Sequence, residues 1–311
     1  MRLRFGNRKS AHRQCRRRPC ANPRVWATTL RNMEIRGHAV GVCSWSLHPR
    51  DVAELIQRVR QLGLEHVQLA LGPLLEADDA TRDAEIARLR ESGIKLTAGM
   101  ISFPGEDYAT IASIRGTGGY VPDEQWPARK ELTLRAADLA QTLGLHMMST
   151  HVGFVPPSSD EKYDVMVKRV CEIAAPLQEK GIDLLLETGQ ESASELLQFL
   201  NDLRCRGVYV NFDPANMILY GSGDPIEAIG ILGRHIRHVH VKDAAMSNQP
   251  RMKWGEEVPF GTGQVQPKAL LDALDRARYT GPLVIEREAG GDRVRDVLVA
   301  VNALRAAADA T

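Results

Sequence analysis

From about residue 39 onward, short apolar runs alternate with longer stretches whose apolar residues recur every three or four positions. The runs AVGVCSW, EHVQLAL, IKLTAGM, LHMMSTHV, IDLLLET, GVYVNFD, IRHVHVK and PLVIERE read as strands. Between them lie DVAELIQRVRQLG, TRDAEIARLRESG, KELTLRAADLAQTLG, YDVMVKRVCEIAAPLQEKG, SASELLQFLNDLR, DPIEAIGILGR and PKALLDALDRARYTG, with DRVRDVLVAVNALRAAA after the last. These read as amphipathic helices. Gly63, Gly93, Gly144, Gly181 and Gly281 each follow a helical pattern, where a left-handed cap is wanted. Strands alternating with helices through right-handed crossovers make a parallel sheet. Eight of each predict a single closed (β/α)8 TIM barrel over residues 34–311. The segment 101–128, ISFPGEDYATIASIRGTGGYVPDEQWPA, interrupts the rhythm after the third strand. Connections this long serve as lids or binding loops, or carry their own short helix, here near Tyr108–Ile114.

Charge separates the ends of the chain. The net charge of the 311 residues is +1, yet residues 1–33 hold nine arginines, one lysine and no acid. With those ten removed, 30 basic side chains remain against 39 acidic ones, about −9 for the rest. The first 33 residues therefore read as a basic, disordered extension, with the functional chain starting near Met33. An acidic body offers nucleic acid no favourable field, and no apolar run approaches a membrane span. The five cysteines, Cys15, Cys20, Cys43, Cys171 and Cys205, form no C-x-x-C pair. Their odd number speaks against a disulfide framework and for a reducing cytoplasm.

In a barrel of this kind, chemistry sits at the C-terminal strand ends. Side chains along each strand alternate between the interior and the helix layer. By that parity Glu187, Asp213, His240 and Glu286 end strands five to eight on the inward side and at one height. Three carboxylates beside one imidazole cannot stay ionised and dry without a cation. Three oxygen donors and one nitrogen suit Mn2+ first, then Mg2+, Co2+ or Zn2+. His238 shares the parity of His240 but lies one layer deeper, and His235 precedes the strand. His151, ending the fourth strand, faces the same cavity. Lys242 points inward too, toward an oxyanion or into a rim salt bridge with an acid such as Asp243. Gln190 and Glu191 either hold substrate hydroxyls or cap the fifth helix. Trp45 stacks on a sugar face or packs in the core.

The ordered segments LLLETGQES, NFDPANM, HVHVKD, VPFGTGQV and GPLVIERE resemble the sugar phosphate isomerase/epimerase family. That family lies within the xylose-isomerase-like TIM barrels, alongside ketose 3-epimerases, inosose dehydratases and apurinic endonucleases. The likeness covers about residues 38–308, and MISFPGEDYATIASIRGTGGYVPDE resembles the third-strand loop of one bacterial branch. It implies Glu187, Asp213, His240 and Glu286 as ligands of one divalent metal ion, with Glu187 and Glu286 as the acid/base pair. The substrate class implied is a small sugar or cyclitol. The reaction implied is isomerisation or epimerisation through proton abstraction beside a carbonyl and a metal-stabilised enediolate. A dehydratase or lyase on the same site is the alternative, and a non-catalytic sugar-binding barrel or subunit the second. An apurinic endonuclease would need more strand-end histidines than this chain has. The sequence departs from the ketose epimerases at Asn216, where they carry a substrate-binding histidine. Their arginine beyond the metal histidine finds only Arg251. Barrels of this family often pair, so a homo-oligomer is left open.

Overall fold

The computed structural model describes residues 33–310. The basic extension expected over residues 1–33 lies, apart from Met33, outside the described residues. Met33 itself is buried in the core, and its carbonyl accepts from Val40 N at 3.0 Å.

The eight barrel strands are, in order, His38–Cys43, His66–Ala70, Lys95–Met100, Met147–Thr150, Asp183–Glu187, Val208–Phe212, Ile236–Val241 and Leu283–Ile285. Each pairs in parallel with the next, and the eighth pairs with both the seventh and the first, which closes the barrel. Glu34–Ile35 folds back antiparallel on the start of the first strand. The principal helices are Val52–Gln61, Asp79–Ser92, Trp126–Thr142, Lys162–Glu179, Ala193–Asp202, Pro225–Leu232, Pro267–Arg276 and Arg293–Asp309. Both faces of such strands are covered, so they read as near-continuous apolar runs. Leu184, Leu186, Val239, Val241, Leu283 and Ile285 supply the buried layer toward the helices. Among the described residues no helix is long and apolar enough to cross a membrane.

The long third-strand connection is ordered and anchored. Its helix is Ile111–Thr117, three residues beyond the expected position, because Thr110 and Ser113 form a capping box that fixes the start. Glu106 accepts from Phe103 N and Gly119 N, at 3.0 and 2.8 Å. Arg169 donates to the carbonyls of Tyr120 and Val121 at 2.7 and 2.9 Å. Gly119 has φ +54°, and a Cβ there would overlap the backbone of Val152. That close approach seats the loop beside the end of the fourth strand.

Two expectations are corrected. Gly63, Gly93, Gly144 and Gly181 are left-handed, but Gly281 is not, and Arg278 takes that conformation instead (φ 55°). Gly281 is needed for space, since a Cβ would lie 2.5 Å from the Arg237 carbonyl oxygen. Cys171 and Cys205 are joined in a disulfide with their Cα atoms 5.4 Å apart, against the expectation from cysteine spacing. Packing of the helix Lys162–Glu179 against the chain after Ala193–Asp202 brings them together, and no local spacing encodes that. Such a bond is at odds with the reducing compartment inferred from the cysteines. Among the described residues Cys43 is the free cysteine, and it is buried.

Candidate metal centre and its cavity

Each ligand candidate owes its position to the end of a strand. Glu187 is the last residue of the fifth, Asp213 follows the sixth, His240 is next to last in the seventh, and Glu286 follows the eighth. All four are buried, and one donor atom from each lies within 4.8 Å of all the others. His240 Nδ1 is the hub, 3.3 Å from Glu187 Oε1, 3.6 Å from Asp213 Oδ2 and 3.2 Å from Glu286 Oε2. Asp213 also caps the short helix Pro214–Tyr220, with Oδ1 accepting from Asn216 N at 2.9 Å.

Three atoms at this point have no hydrogen-bond partner although buried: Glu187 Oε2, Asp213 Oδ2 and His240 Nδ1. Buried polar atoms are almost always paired, so orphans converging from separate strands mark a place for a cation. The donor set of carboxylates and one imidazole fits a divalent metal.

The site is not without positive charge of its own. Lys242 Nζ lies 2.8 Å from Glu286 Oε2, 2.7 Å from Glu288 Oε2 and 3.6 Å from Asp213 Oδ2. Asp243 is not its partner. That carboxylate accepts instead from the backbone N–H groups of Ala244, Gly261, Gly263 and Val265 at 2.8–2.9 Å, pinning the GTGQ loop. Burial opposes the charge on Glu286, but Lys242 and His240 outweigh it and hold the carboxyl well below the usual range. Burial likewise opposes the Lys242 and His240 cations, and the carboxylates, Glu286 foremost, hold both well above their usual values. Asp213 is raised, because burial exceeds the help it gets from Lys242.

Other candidates divide between two cavities. A cavity of about 650 Å³ opens beside the cluster, with Glu286 in its wall. Trp45, His151 and Asn216 line it. Trp45 Nε1 donates to Glu286 Oε1 at 2.7 Å, so its indole orients a ligand as well as walling the cavity. His151 Nε2 lies 3.6 Å from Glu187 Oε2. Asn216 links a ligand to the lysine, donating to Glu187 Oε1 at 3.0 Å and accepting from Lys242 at 3.3 Å. Gln190 and Arg251 do not reach this space. Both line a separate 170 Å³ cavity behind Tyr220, where Arg251 sits in a left-handed turn with φ 65°. Ser192, not Gln190 or Glu191, caps the fifth principal helix. The wall residues Tyr108, exposed, and Trp254, half-buried, join the third- and seventh-strand loops, as Trp254 Nε1 donates to the Tyr108 carbonyl at 3.1 Å.

Glu191 accepts from Val155 N at 2.8 Å, and burial pushes its carboxyl up to about 7. The ionised form is therefore disfavoured in the folded chain relative to the unfolded one, whose carboxyl titrates near 4.5. That penalty is absent below pH 4, grows as pH rises between the two values, and is complete above pH 7. Glu191→Gln keeps the acceptor and is expected to stabilise the protein at pH 8 by on the order of 1–2 kcal/mol, allowing for its partly exposed edge. Denaturant unfolding at pH 8 and at pH 4 checks this, with no difference between variant and parent expected at pH 4.

Sequence reasoning passed over Gln68, Asn211, Ser149 and Cys43, which lie beneath the ligands inside the barrel. Gln68 Oε1 is 2.6 Å from His240 Nε2, and Asn211 links His240 to His238 at 3.1 and 2.8 Å. The available signal was a polar residue of inward parity in an otherwise apolar strand, EHVQLAL. His238 is fully buried in this network, and burial holds its imidazole well below the usual value. His235 stands outside the barrel, next to Arg234.

The Xylose isomerase-like TIM barrel family model matches residues 56–307. The crystal structure of a xylose isomerase domain protein from Planctomyces limnophilus superposes with a TM-score of 0.78 at 33% identity, covering 88% of this chain and 96% of that one. An L-ribulose 3-epimerase structure superposes with a TM-score of 0.66 at 18% identity, covering 87% of this chain and 95% of that one, which shows the shared fold. An inosose dehydratase from Geobacillus thermodenitrificans is 24% identical over 151 residues, 43% of this chain and 49% of that protein. The match thus spans about half the length of that curated relative. With the closed barrel and the strand-end cluster already in place, these likenesses settle one point: the chain belongs to the xylose isomerase-like TIM barrel family.

Proposed function

We propose that the protein is a metal-dependent isomerase or epimerase of an uncharged sugar or cyclitol, working by proton transfer at a carbon next to a carbonyl. The observation that carries this reading is the convergence of Glu187, Asp213, His240 and Glu286, with unpartnered atoms from three of them, beside a cavity that Glu286 lines and that is large enough for a small substrate. These four residues would hold one divalent cation, Mn2+ first and Mg2+, Co2+ or Zn2+ after it. When bound, the cation supplies Lewis-acid polarisation of the carbonyl and its neighbouring hydroxyl.

The remaining work falls to the side chains. Glu187, with Oε1 fixed by Asn216 at 3.0 Å, is placed to take a proton from carbon. Glu286 is held on both oxygens by Trp45 and Lys242, and is placed to pass a proton drawn from the Lys242 ammonium at 2.8 Å to the other side of the carbon. His151, beside Glu187 Oε2, is placed to carry the proton onward. Asn216 orients hydroxyls, Lys242 holds Glu286 and Glu288 in place from behind the cavity wall, and Trp45 offers a flat face to the ring. Among the described residues lining the main cavity there is no arginine or lysine, while Glu257, Glu286 and Glu288 are there. That lining favours a substrate without a phosphate group.

The likeness to inosose dehydratase favours a second reading on the same groups, in which a hydroxyl β to the carbonyl leaves as water. One experiment addresses both. Protein purified without added metal is expected to carry about one divalent cation per chain, lost in Asp213→Ala and His240→Ala. The loaded protein, incubated with unphosphorylated ketoses and inososes in D2O, is expected to place deuterium on carbon. Exchange with retention of the elements of water supports epimerisation, and loss of water supports dehydration. A wild type that takes up no cation even from added Mn2+ would overturn the proposal in favour of a non-catalytic sugar-binding barrel.

A further inference from the structure

Gln68 is fully buried on the second strand, and the main cavity does not reach it. Its neighbours fix which end of its amide faces His240. Ser149 Oγ donates to Met100 Sδ at 3.0 Å, so that oxygen is left as an acceptor, and Gln68 Nε2 donates to it at 2.8 Å. On the other side Cys43 Sγ–H donates to Gln68 Oε1 at 3.4 Å. Both contacts turn the Gln68 oxygen toward His240, whose Nε2 lies 2.6 Å away. An oxygen at that distance requires a proton on Nε2. A neutral imidazole protonated there has its lone pair on Nδ1, the nitrogen that faces the three carboxylates.

We propose that Gln68 is a positioning residue for the cation site: its carbonyl oxygen keeps a proton on His240 Nε2, so that Nδ1, between Glu187, Asp213 and Glu286, is the nitrogen that gives up its proton when a cation binds. The inference rests on the reading of those residues as cation ligands. The opposite tautomer would put an N–H at the centre of the ligand set and close it to a metal. Asn211 completes the arrangement. Its amide sits with Nδ2 3.1 Å from His240 Nε2 and Oδ1 2.8 Å from His238 Nδ1. Turned end for end, its oxygen takes a second share of the Nε2 proton and its nitrogen donates to His238 Nδ1. His238 Nε2–H then donates to Thr97 Oγ1, 3.1 Å away, and every polar group from Ser149 to Thr97 is satisfied. Partners that orient a metal-binding histidine in this way are common in metal sites, where removing one costs affinity.

Two measurements test the assignment. In protein labelled with ¹⁵N-histidine and loaded with diamagnetic Mg2+, two-bond ¹H–¹⁵N correlations are expected to show His240 protonated at Nε2 and bare at Nδ1. Calorimetric titration with Mn2+ is expected to show Gln68→Met, which lacks the acceptor, binding about 10–100-fold more weakly. Gln68→Glu, which retains an oxygen acceptor, is expected to bind nearly as wild type does. A proton on Nδ1 in the Mg2+ form, or wild-type affinity in Gln68→Met, overturns the positioning role while leaving the cation site standing. Failure of the wild type to take up any cation overturns both. If Gln68→Met does not fold, the wild-type spectrum decides, with Ser149→Ala, which frees the amide to turn, expected to show a mixture of His240 tautomers.

Discussion

Glu187→Gln is expected to lower carbon-proton exchange by about 10²–10⁴-fold with little change in thermal stability, the range over which a positioned acid or base acts. The amide keeps the oxygen that accepts from Asn216 Nδ2 at 3.0 Å, and the position at Oε2 carries no hydrogen bond to lose. What disappears is the capacity to hold a proton. Glu286→Gln is expected to lose as much activity but to differ in stability. The Lys242 side chain is 2% exposed, and its Nζ would face a neutral amide where it had a carboxylate at 2.8 Å. Stranding one partner of a buried pair costs 3–5 kcal/mol; with Glu288 still at 2.7 Å, about 3 kcal/mol is expected. Parallel measurement of exchange rate and denaturant unfolding checks both variants. A Glu187→Gln protein that exchanges at nearly the wild-type rate would remove Glu187 from the chemistry.

Cation binding is expected to have a comparably large effect on stability. Glu187, Asp213 and Glu286 meet at one point, and with Glu288 these carboxylates outnumber the Lys242 and His240 cations, so the folded chain without its cation retains an uncompensated charge that unfolding relieves. An ion that binds the native state alone, at a free concentration of one hundred times its Kd, adds about 2.7 kcal/mol. For a domain of this length that corresponds to a rise in Tm of roughly 4–5 °C. The sign follows from where the ligands meet: the unfolded chain holds them on four distant segments and offers no preformed site. Thermal unfolding with and without Mn2+, repeated on Asp213→Ala, measures the effect. Equal shifts in the variant and the wild type would place the stabilising ion elsewhere.

The barrel was legible because its signals are local. Strand alternation is a property of adjacent residues, and the strand-end positions of Glu187, Asp213 and Glu286 follow from parity alone. What the sequence hid depends on partners far along the chain. Lys242 stands next to Asp243, yet it pairs with Glu286 and Glu288, because the pleat sends successive side chains to opposite faces and Asp243 turns to the loop at 261–265. Gln68 meets His240 across 172 residues, and no spacing rule connects them. Arg251 was offered by distance along the chain from His240, but its loop carries it behind Tyr220. The short helix at Ile111–Thr117 was within reach of sequence reasoning, since Thr110 three residues before Ser113 is a readable start.

The Asp243 clamp divides the connection after the seventh strand into two stretches with unequal freedom to vary. From Met246 to Met252 the chain is largely exposed, and Gln249, Pro250, Arg251 and Met252 form its outer turn. From Gly261 to Val265 three backbone amides converge on one carboxylate, so adding or removing a residue there would misplace the amides that follow. Length can therefore drift in the outer stretch, which leads to Trp254 at the cavity wall, while the inner stretch keeps its count. A lineage built on this barrel can reshape what the cavity admits by lengthening or trimming one turn, with His240 left where it is.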